Sequence, residues 1–285
     1  MGEKMDASAP KYLRGKYAIV GVGETGSPFC LGGDSVFVRT GDRCLRIDPE
    51  SVATPEAPYD LVRKMRASFM VLGPLVARFG CGRVSEPGGC AIGVRPIDQH
   101  LKGLAALGAK IRLAGGVIEA FGARLCGTQI HFDITTVNGT QNVMMAATLA
   151  QGETILDNAA REPEVVELAE MLCRMGARIS GAGSDRIVIR GVSDLRGVRH
   201  EISGDRIAAG TLLAAGMITR RPARAEGIDP TRMDSTAVTL RATRAPLDVA
   251  TDAISAVSPR AARPFPRVSA PPAPLLPHPT PPSPP

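Results

Sequence analysis

The sequence predicts an α/β fold assembled from repeated units, on three observations. A block recurs with a period near 70: Leu104-Ala-Ala-Leu-Gly-Ala-Lys-Ile111 returns as Leu172-Cys-Arg-Met-Gly-Ala-Arg-Ile179, and Arg124-Leu-Cys-Gly127 as Asp194-Leu-Arg-Gly197. Runs of small residues recur as well, from Gly139-Thr140 to Ala150 and from Gly210-Thr211 to Ile218, with an earlier counterpart from Arg66 to Phe79. Helical and strand periodicities also alternate along the chain, the pattern of helices laid on sheets.

Taken in order, the stretch Arg66–Phe79 reads as a small-residue helix. A second helix opens at Arg95-Pro96 and carries Ile97, Leu101, Leu104 and Leu107 on one face. Val117–Ala120 is a strand, and the run from Gly139 to Ala150 is a helix. Pro163 suits a first helical turn, Val165, Leu168, Ala169, Leu172 and Cys173 share a face, and Gly176 stands where a left-handed cap is needed. Ile187–Arg190 is a strand bounded by Gly191, and Gly210–Ile218 closes the series as a helix.

Composition limits the function. The 285 residues carry 34 basic and 28 acidic side chains, a net charge of +6. From Arg220 onward there are nine Arg and five acids, so two thirds of that charge lies at the end of the chain. Twelve of the 24 prolines lie between Pro259 and Pro285. Such a segment buries too little apolar surface to offset chain entropy, and residues 220–285 read as a disordered, polyproline-like tail. Only ten aromatics and no Trp accompany the charge, which argues against a nucleic-acid partner. No apolar run is long enough for a membrane span, and the polar start, Met1 to Pro10, does not look like a secretory signal. A cytoplasmic protein is expected.

One loop carries chemistry: Ser85-Glu-Pro-Gly-Gly-Cys90-Ala-Ile-Gly-Val-Arg95-Pro96-Ile97-Asp98. Its glycines permit close backbone approach to a ligand. Nearby guanidinium charge from Arg83 and Arg95 would lower the Cys90 thiol pKa, making it a proton donor or nucleophile near neutral pH. Arg95 at a helix start favours phosphate, through dipole and bidentate donor together. The plain alternative is a small buried hydrophobe at Cys90. The four His are dispersed and the remaining cysteines lack CxxC spacing, so neither a metal nor a cofactor is expected. Gly21-Val-Gly23-Glu-Thr-Gly26 spells GxGxxG after a strand, but Ser27-Pro28 and Gly32-Gly33 break the helix that a dinucleotide site requires.

Pro87–Pro96, Ala57–Ser68, Leu72–Phe79 and Asn158-Ala-Ala-Arg-Glu-Pro-Glu164 closely resemble the UDP-N-acetylglucosamine 1-carboxyvinyltransferase family, and the resemblance is dense from about Ala57 to Thr219. It implies an inside-out α/β barrel of two lobes, each of three repeated units, of which this chain holds one. It implies transfer of enolpyruvyl from phosphoenolpyruvate to the 3-hydroxyl of UDP-N-acetylglucosamine, a step of peptidoglycan synthesis. By position, Cys90 matches the proton-donating cysteine that fosfomycin targets, and Arg66 matches a nucleotide-sugar contact. Arg95, Pro96, Ile97, Asp98 and Gln99 match one gripping loop, with Gln99 where the family usually has Leu. Thr135, Thr136, Val137 and Asn138 match a second, with Asn138 replacing a small residue. The shikimate enolpyruvyl transferase is a poorer match, because the Gly-Gly-Cys loop belongs to the sugar enzyme.

The departures divide the chain into a divergent segment 1–56, a transferase-like lobe 57–219 and the tail 220–285. Gly23 and Glu24 stand where the family has the phosphoenolpyruvate-binding Lys and an Asn, and no first helix is legible between Ser27 and Asp48. Loss of one charged phosphate contact costs on the order of 1.5–3 kcal/mol. Asp205-Arg-Ile-Ala-Ala-Gly-Thr211 departs from the family's motif at two alanines, and no second lobe follows. The alternative expectation is therefore a non-catalytic lobe or remnant that holds the nucleotide sugar, with self-association through exposed apolar surface.

Overall fold

The structure, a computed structural model, describes residues 36–40, 43–47, 54–57, 59–62, 66–85, 97–242 and 246–256. The chain divides into two compact units, one ending at Ser203 and one beginning at Gly204.

The described part of the first unit opens with the antiparallel strands β1 (Val36–Thr40) and β2 (Arg43–Ile47), where the sequence shows no helix. Then come β3 (Glu56–Ala57), α1 (Tyr59–Val62), a 3-10 turn Arg66–Val71, α2 (Leu72–Phe79), β4 (Cys81–Ser85), α3 (Asp98–Ala106), β5 (Lys110–Ala114) and β6 (Val117–Phe121). The series repeats with β7 (Gln129–His131), α4 (Val137–Ala147), β8 (Glu153–Asp157), α5 (Pro163–Arg174), β9 (Arg178–Ser180) and β10 (Arg186–Arg190), and β11 (Arg199–Glu201) follows.

The repeat read from the sequence is a repeat of topology. One sheet runs β3-β4-β6-β5 and another β7-β8-β10-β9. Each begins with a parallel pair and continues antiparallel. At β10 alternation sends one face inward: Ile187 and Ile189 are buried and Arg186 and Arg190 exposed. The outward faces carry cross-strand charge: Glu119 lies opposite both Arg83 and Arg112 and pairs with them at 3.1 and 3.6 Å.

The core lies under the sheets, around α4. Every residue of α4 from Gly139 to Ala147 is buried, the polar Thr140, Gln141 and Asn142 included. Close approach is built in: a Cβ on Gly73 of α2 would collide with Asn142, and one on Gly103 of α3 with Val143. Helix α5 places Pro163 in its first turn and buries Val165, Leu168, Ala169 and Leu172 as expected, while Gly176 takes a φ of 110° behind it. Cys173 is exposed; Met171 completes that face instead.

The second unit departs from the sequence expectation. Helix α6 (Arg206–Ile218) is capped by Asp205, whose carboxylate accepts the N–H groups of Ile207 and Ala208 at 2.8 and 3.0 Å. The tail expected from residue 220 is instead folded as far as Ala256. It forms β12 (Ala223–Glu226), α7 (Asp234–Ala242), β13 (Leu247–Val249) and β14 (Ala253–Ala256), with sheet order β12-β14-β13. Leu213, Met217, Ile228, Met233, Leu240 and Ile254 form its core. From Ile228 onward those residues lie too far apart in sequence to make a periodic signal, and the prolines from residue 259 mask them in a composition count. The proline-rich stretch itself lies outside the described residues.

Candidate functional site

Two expected site loops meet the described structure differently. Cys90, Arg95 and Pro96, and Gly23 with Glu24, lie outside the described residues. Arg66 opens the 3-10 turn ahead of α2. Ile97 stands at the N-cap of α3, followed by exposed Asp98 and buried Gln99.

Gln99 does not point toward open solvent. Its Nε2 donates to Asp98 Oδ2 at 2.8 Å and to Asp133 Oδ2 at 3.2 Å, while its Oε1 accepts the backbone N–H of Asp133 at 3.0 Å. Lys102 pairs with the other Asp133 oxygen at 2.6 Å. Hydrogen bonds from Lys102, and then from Gln99, hold the Asp133 carboxyl below the usual carboxylate range.

The second loop shapes the start of α4. Thr136 is the N-cap, its hydroxyl accepting Gly139 N–H at 3.2 Å. Val137 and Asn138 are half-buried in the first turn. The helix dipole makes this end electropositive. Thr135 is exposed and donates its hydroxyl to Asn158 Oδ1 at 2.8 Å. Asn158 has a φ of 57°, and its Nδ2 donates to Phe132 O at 2.8 Å, so two hydrogen bonds hold a left-handed backbone. Ala160 N–H donates to Thr140 and Gln141 donates to Glu164 O, tying the 158–164 segment to α4.

Thr135, Asn158, Ala159, Arg161 and Glu162 line an open depression of about 430 Å³. Arg161 is exposed and pairs with Asp185 at 3.2 Å. Glu162 Oε2 is buried and has no hydrogen-bond partner among the described residues. A carboxylate oxygen in that state is open to a donor from a ligand. Asn158, Arg161 and Glu162 were legible only as part of a resembling motif. A signal for them exists: a polar run ending in Pro163, just before a helix, marks a helix N-terminus that faces solvent.

Behind the site, Asn142 joins three elements. Its Oδ1 accepts Gly73 N–H at 2.8 Å, and its Nδ2 lies 3.0 Å from His100 Nδ1. Burial pushes His100 down to about 4, partly countered by Asp98. Among the described residues no cluster of His, Cys, Asp and Glu is arranged to hold a metal, and no helix is long and apolar enough to cross a membrane.

Comparison with known proteins agrees with this architecture. The chain is 57% identical over 203 residues to UDP-N-acetylglucosamine 1-carboxyvinyltransferase of Myxococcus xanthus, covering 71% of this chain and 48% of that protein. It is 63% identical over 175 residues to the protein of the same name from Anaeromyxobacter sp., covering 61% and 42%. The chain thus spans about half the length of the curated relatives it matches. Among solved structures, the enolpyruvyl transferase NikO from Streptomyces tendae matches with a TM-score of 0.70 at 21% identity, over 82% of this chain and 62% of that one. EPSP synthase from Acinetobacter baumannii matches at 0.54 and 18%, over 80% and 60%. These two likenesses establish the fold. The family profile of EPSP synthase (3-phosphoshikimate 1-carboxyvinyltransferase) matches residues 30–266, across both units and well over half of the chain. The chain belongs to this family of enolpyruvyl transferases.

Proposed function

We propose that this chain binds UDP-N-acetylglucosamine and transfers enolpyruvyl to its 3-hydroxyl from phosphoenolpyruvate, releasing phosphate, in the cytoplasmic supply of peptidoglycan precursor. The observation that carries the reading is the identity of 57–63% to relatives named for this reaction, against 18% to the EPSP synthase structure. The geometry around α4 supports it. Thr135, Thr136, Val137 and Asn138 stand at the start of α4, where the helix dipole stabilises a diphosphate. Arg161 adds a cation beside them, and Glu162 adds an acceptor for a hydroxyl or amide of the sugar.

In this reading Arg66, Arg95, Pro96, Ile97, Asp98 and Gln99 complete the grip, and Cys90 is the acid. The Cys90 thiol gives its proton to C3 of phosphoenolpyruvate as the sugar oxygen bonds to C2, and the sugar hydroxyl loses its proton to a base. Loss of a proton from C3 then breaks the bond from C2 to the phosphate oxygen, leaving the enolpyruvyl ether and inorganic phosphate.

The test is phosphate release from phosphoenolpyruvate by the full chain. Release that depends on UDP-N-acetylglucosamine and vanishes in Cys90→Ala supports the proposal; no release at micromolar protein overturns it. A second reading, a non-catalytic lobe that binds the nucleotide sugar, is favoured by the sequence at Gly23 and Glu24: by the resemblance, a glycine replaces the family's Lys and a carboxylate its neighbouring Asn. Saturable binding by calorimetry without phosphate release would select it.

A further inference from the structure

We propose that Asn158 is a positioning residue: it straps the loop Phe132–Thr135 that leads into α4, and it makes the Thr135 hydroxyl an acceptor for an N–H or O–H group of the nucleotide sugar. The ligand part of this proposal rests on the functional reading above. The strap itself rests on geometry. Strand β7 pairs in parallel with β8 as far as His131 opposite Asp157, and Phe132 N–H adds one more bond, to Asp157 O at 3.1 Å. The ladder ends where the Asn158 backbone turns to a φ of 57°, and its side chain continues it: Nδ2 donates to Phe132 O at 2.8 Å. Asn is among the few residues with a side chain that adopt this left-handed backbone readily, so the residue that makes the turn also replaces the missing rung.

The orientation of the amide follows from its partners. Phe132 O only accepts, so the NH₂ end faces it and Oδ1 faces Thr135. Thr135 therefore gives its hydroxyl proton to Asn158 Oδ1, at 2.8 Å, and keeps its lone pairs. An exposed hydroxyl in that state receives a donor and has no proton to offer a phosphate oxygen. Thr135 and Asn158 line the depression together with Ala159, Arg161 and Glu162. The residues after Asn158 are tied down as well: Ala159 N–H donates to Asp185 O at 2.9 Å, and Ala160 N–H to Thr140 at 3.1 Å. The strap thus joins the loop to a fixed segment that carries Arg161 and Glu162. Glu162 Oε2, buried without a hydrogen-bond partner among the described residues, is a second acceptor in the same depression. Two acceptors match the hydroxyl and amide donors of a sugar or base, not a further phosphate.

The experiment compares the full chain with Asn158→Gly, Thr135→Val, Thr135→Ser and the variant carrying both Asn158→Gly and Thr135→Val. Glycine accepts the left-handed backbone and removes only the amide, so Asn158→Gly is expected to fold with its thermal midpoint little moved. Hydrogen exchange without ligand is expected to show the Phe132 amide exchanging about tenfold faster in Asn158→Gly. Calorimetry is expected to show UDP-N-acetylglucosamine binding about tenfold more weakly in Asn158→Gly and in Thr135→Val. Thr135→Ser, which keeps the hydroxyl, is expected to recover most of that loss. The double variant is expected to bind no more weakly than Asn158→Gly alone, because one residue acts through the other. A purely structural role of Asn158 would make the two losses additive. Unchanged exchange at Phe132 overturns the strap. Faster exchange with unchanged affinity, or additive losses, overturns its role for the ligand. If the wild-type chain does not bind UDP-N-acetylglucosamine at all, the functional reading and the ligand role fall together, and exchange at Phe132 alone decides whether the strap holds the loop.

Discussion

Asn142 Nδ2 lies 3.0 Å from His100 Nδ1 in the interior of the first unit, and this contact fixes the state of both residues. Because Asn142 Oδ1 is taken by Gly73 N–H, its NH₂ end must face the ring. Nδ1 is then the acceptor, and the ring proton sits on Nε2. The ring is buried and stands T-shaped to that of Phe69, with centroids 5.2 Å apart. A neutral imidazole is what this packing requires.

His100 accordingly makes stability depend on pH. Its folded value of about 4 lies below the unfolded 6.5, so the unfolded chain binds more protons between these limits. The stabilisation is complete above about pH 6.5 and is lost as pH falls toward 4. The total is on the order of 3 kcal/mol, since each pKa unit is worth about 1.4 kcal/mol. Urea unfolding between pH 4 and 7 is expected to show this slope, and His100→Gln is expected to flatten it.

Asn142→Leu is expected to destabilise by about 3 kcal/mol. It strips the partner from Gly73 N–H and leaves His100 Nδ1 buried without a donor, two penalties of about 1–3 kcal/mol each that relaxation partly offsets. Chemical denaturation checks the figure. Gly103→Ala tests the same helix contact from the other side by forcing a methyl into Val143, and overpacking of that kind costs about 1–3 kcal/mol.

Two glutamates of the first unit predict opposite magnitudes. Glu167 lies buried beside His200 at 3.4 Å and also accepts Ser203 N–H at 2.8 Å. Replacing it by Ala abandons buried groups, and a loss of about 2 kcal/mol or more is expected. Glu119 pairs with Arg83 and Arg112 on the outer face of its sheet, where Arg112 is largely exposed. Glu119→Gln is expected to cost less than about 1 kcal/mol, and less still at high salt. Parallel melts at two ionic strengths separate the cases.

Arg161→Ala tests the depression. Its ion pair with Asp185 is solvated on both sides, so the thermal midpoint is expected to stay nearly constant. Loss of a cation beside the Thr135 loop is expected to weaken UDP-N-acetylglucosamine binding about tenfold or more, a shift that grows as salt is lowered. Titration calorimetry at two salt concentrations reads both.

Much of the fold was legible because its signals are local. The cap geometry at Pro163 and Gly176, the apolar face of α5 and the small-residue run of α4 each depend on neighbours within a few positions. The repeat near 70 residues predicted units of like helix and strand order for the same reason: each unit carries its own periodicities. The second unit was missed where its core residues, Ile228 to Ile254, are scattered among turns and read as part of a proline-rich end.

The sequence by itself determined helices such as α4 and α5, the family and the loop motifs, all of which are properties of short segments. Tertiary structure alone decided which side chains meet. Gln99, placed by sequence in a gripping loop, is spent on Asp133, 34 residues away. Thr135 finds Asn158 across 23 residues, and Glu162 keeps one oxygen buried and unpartnered in the same depression. A hydrogen bond requires two groups within about 3 Å in a defined orientation. Sequence spacing does not encode that condition for residues on different elements; only the packing of α3, α4 and α5 against one another supplies it.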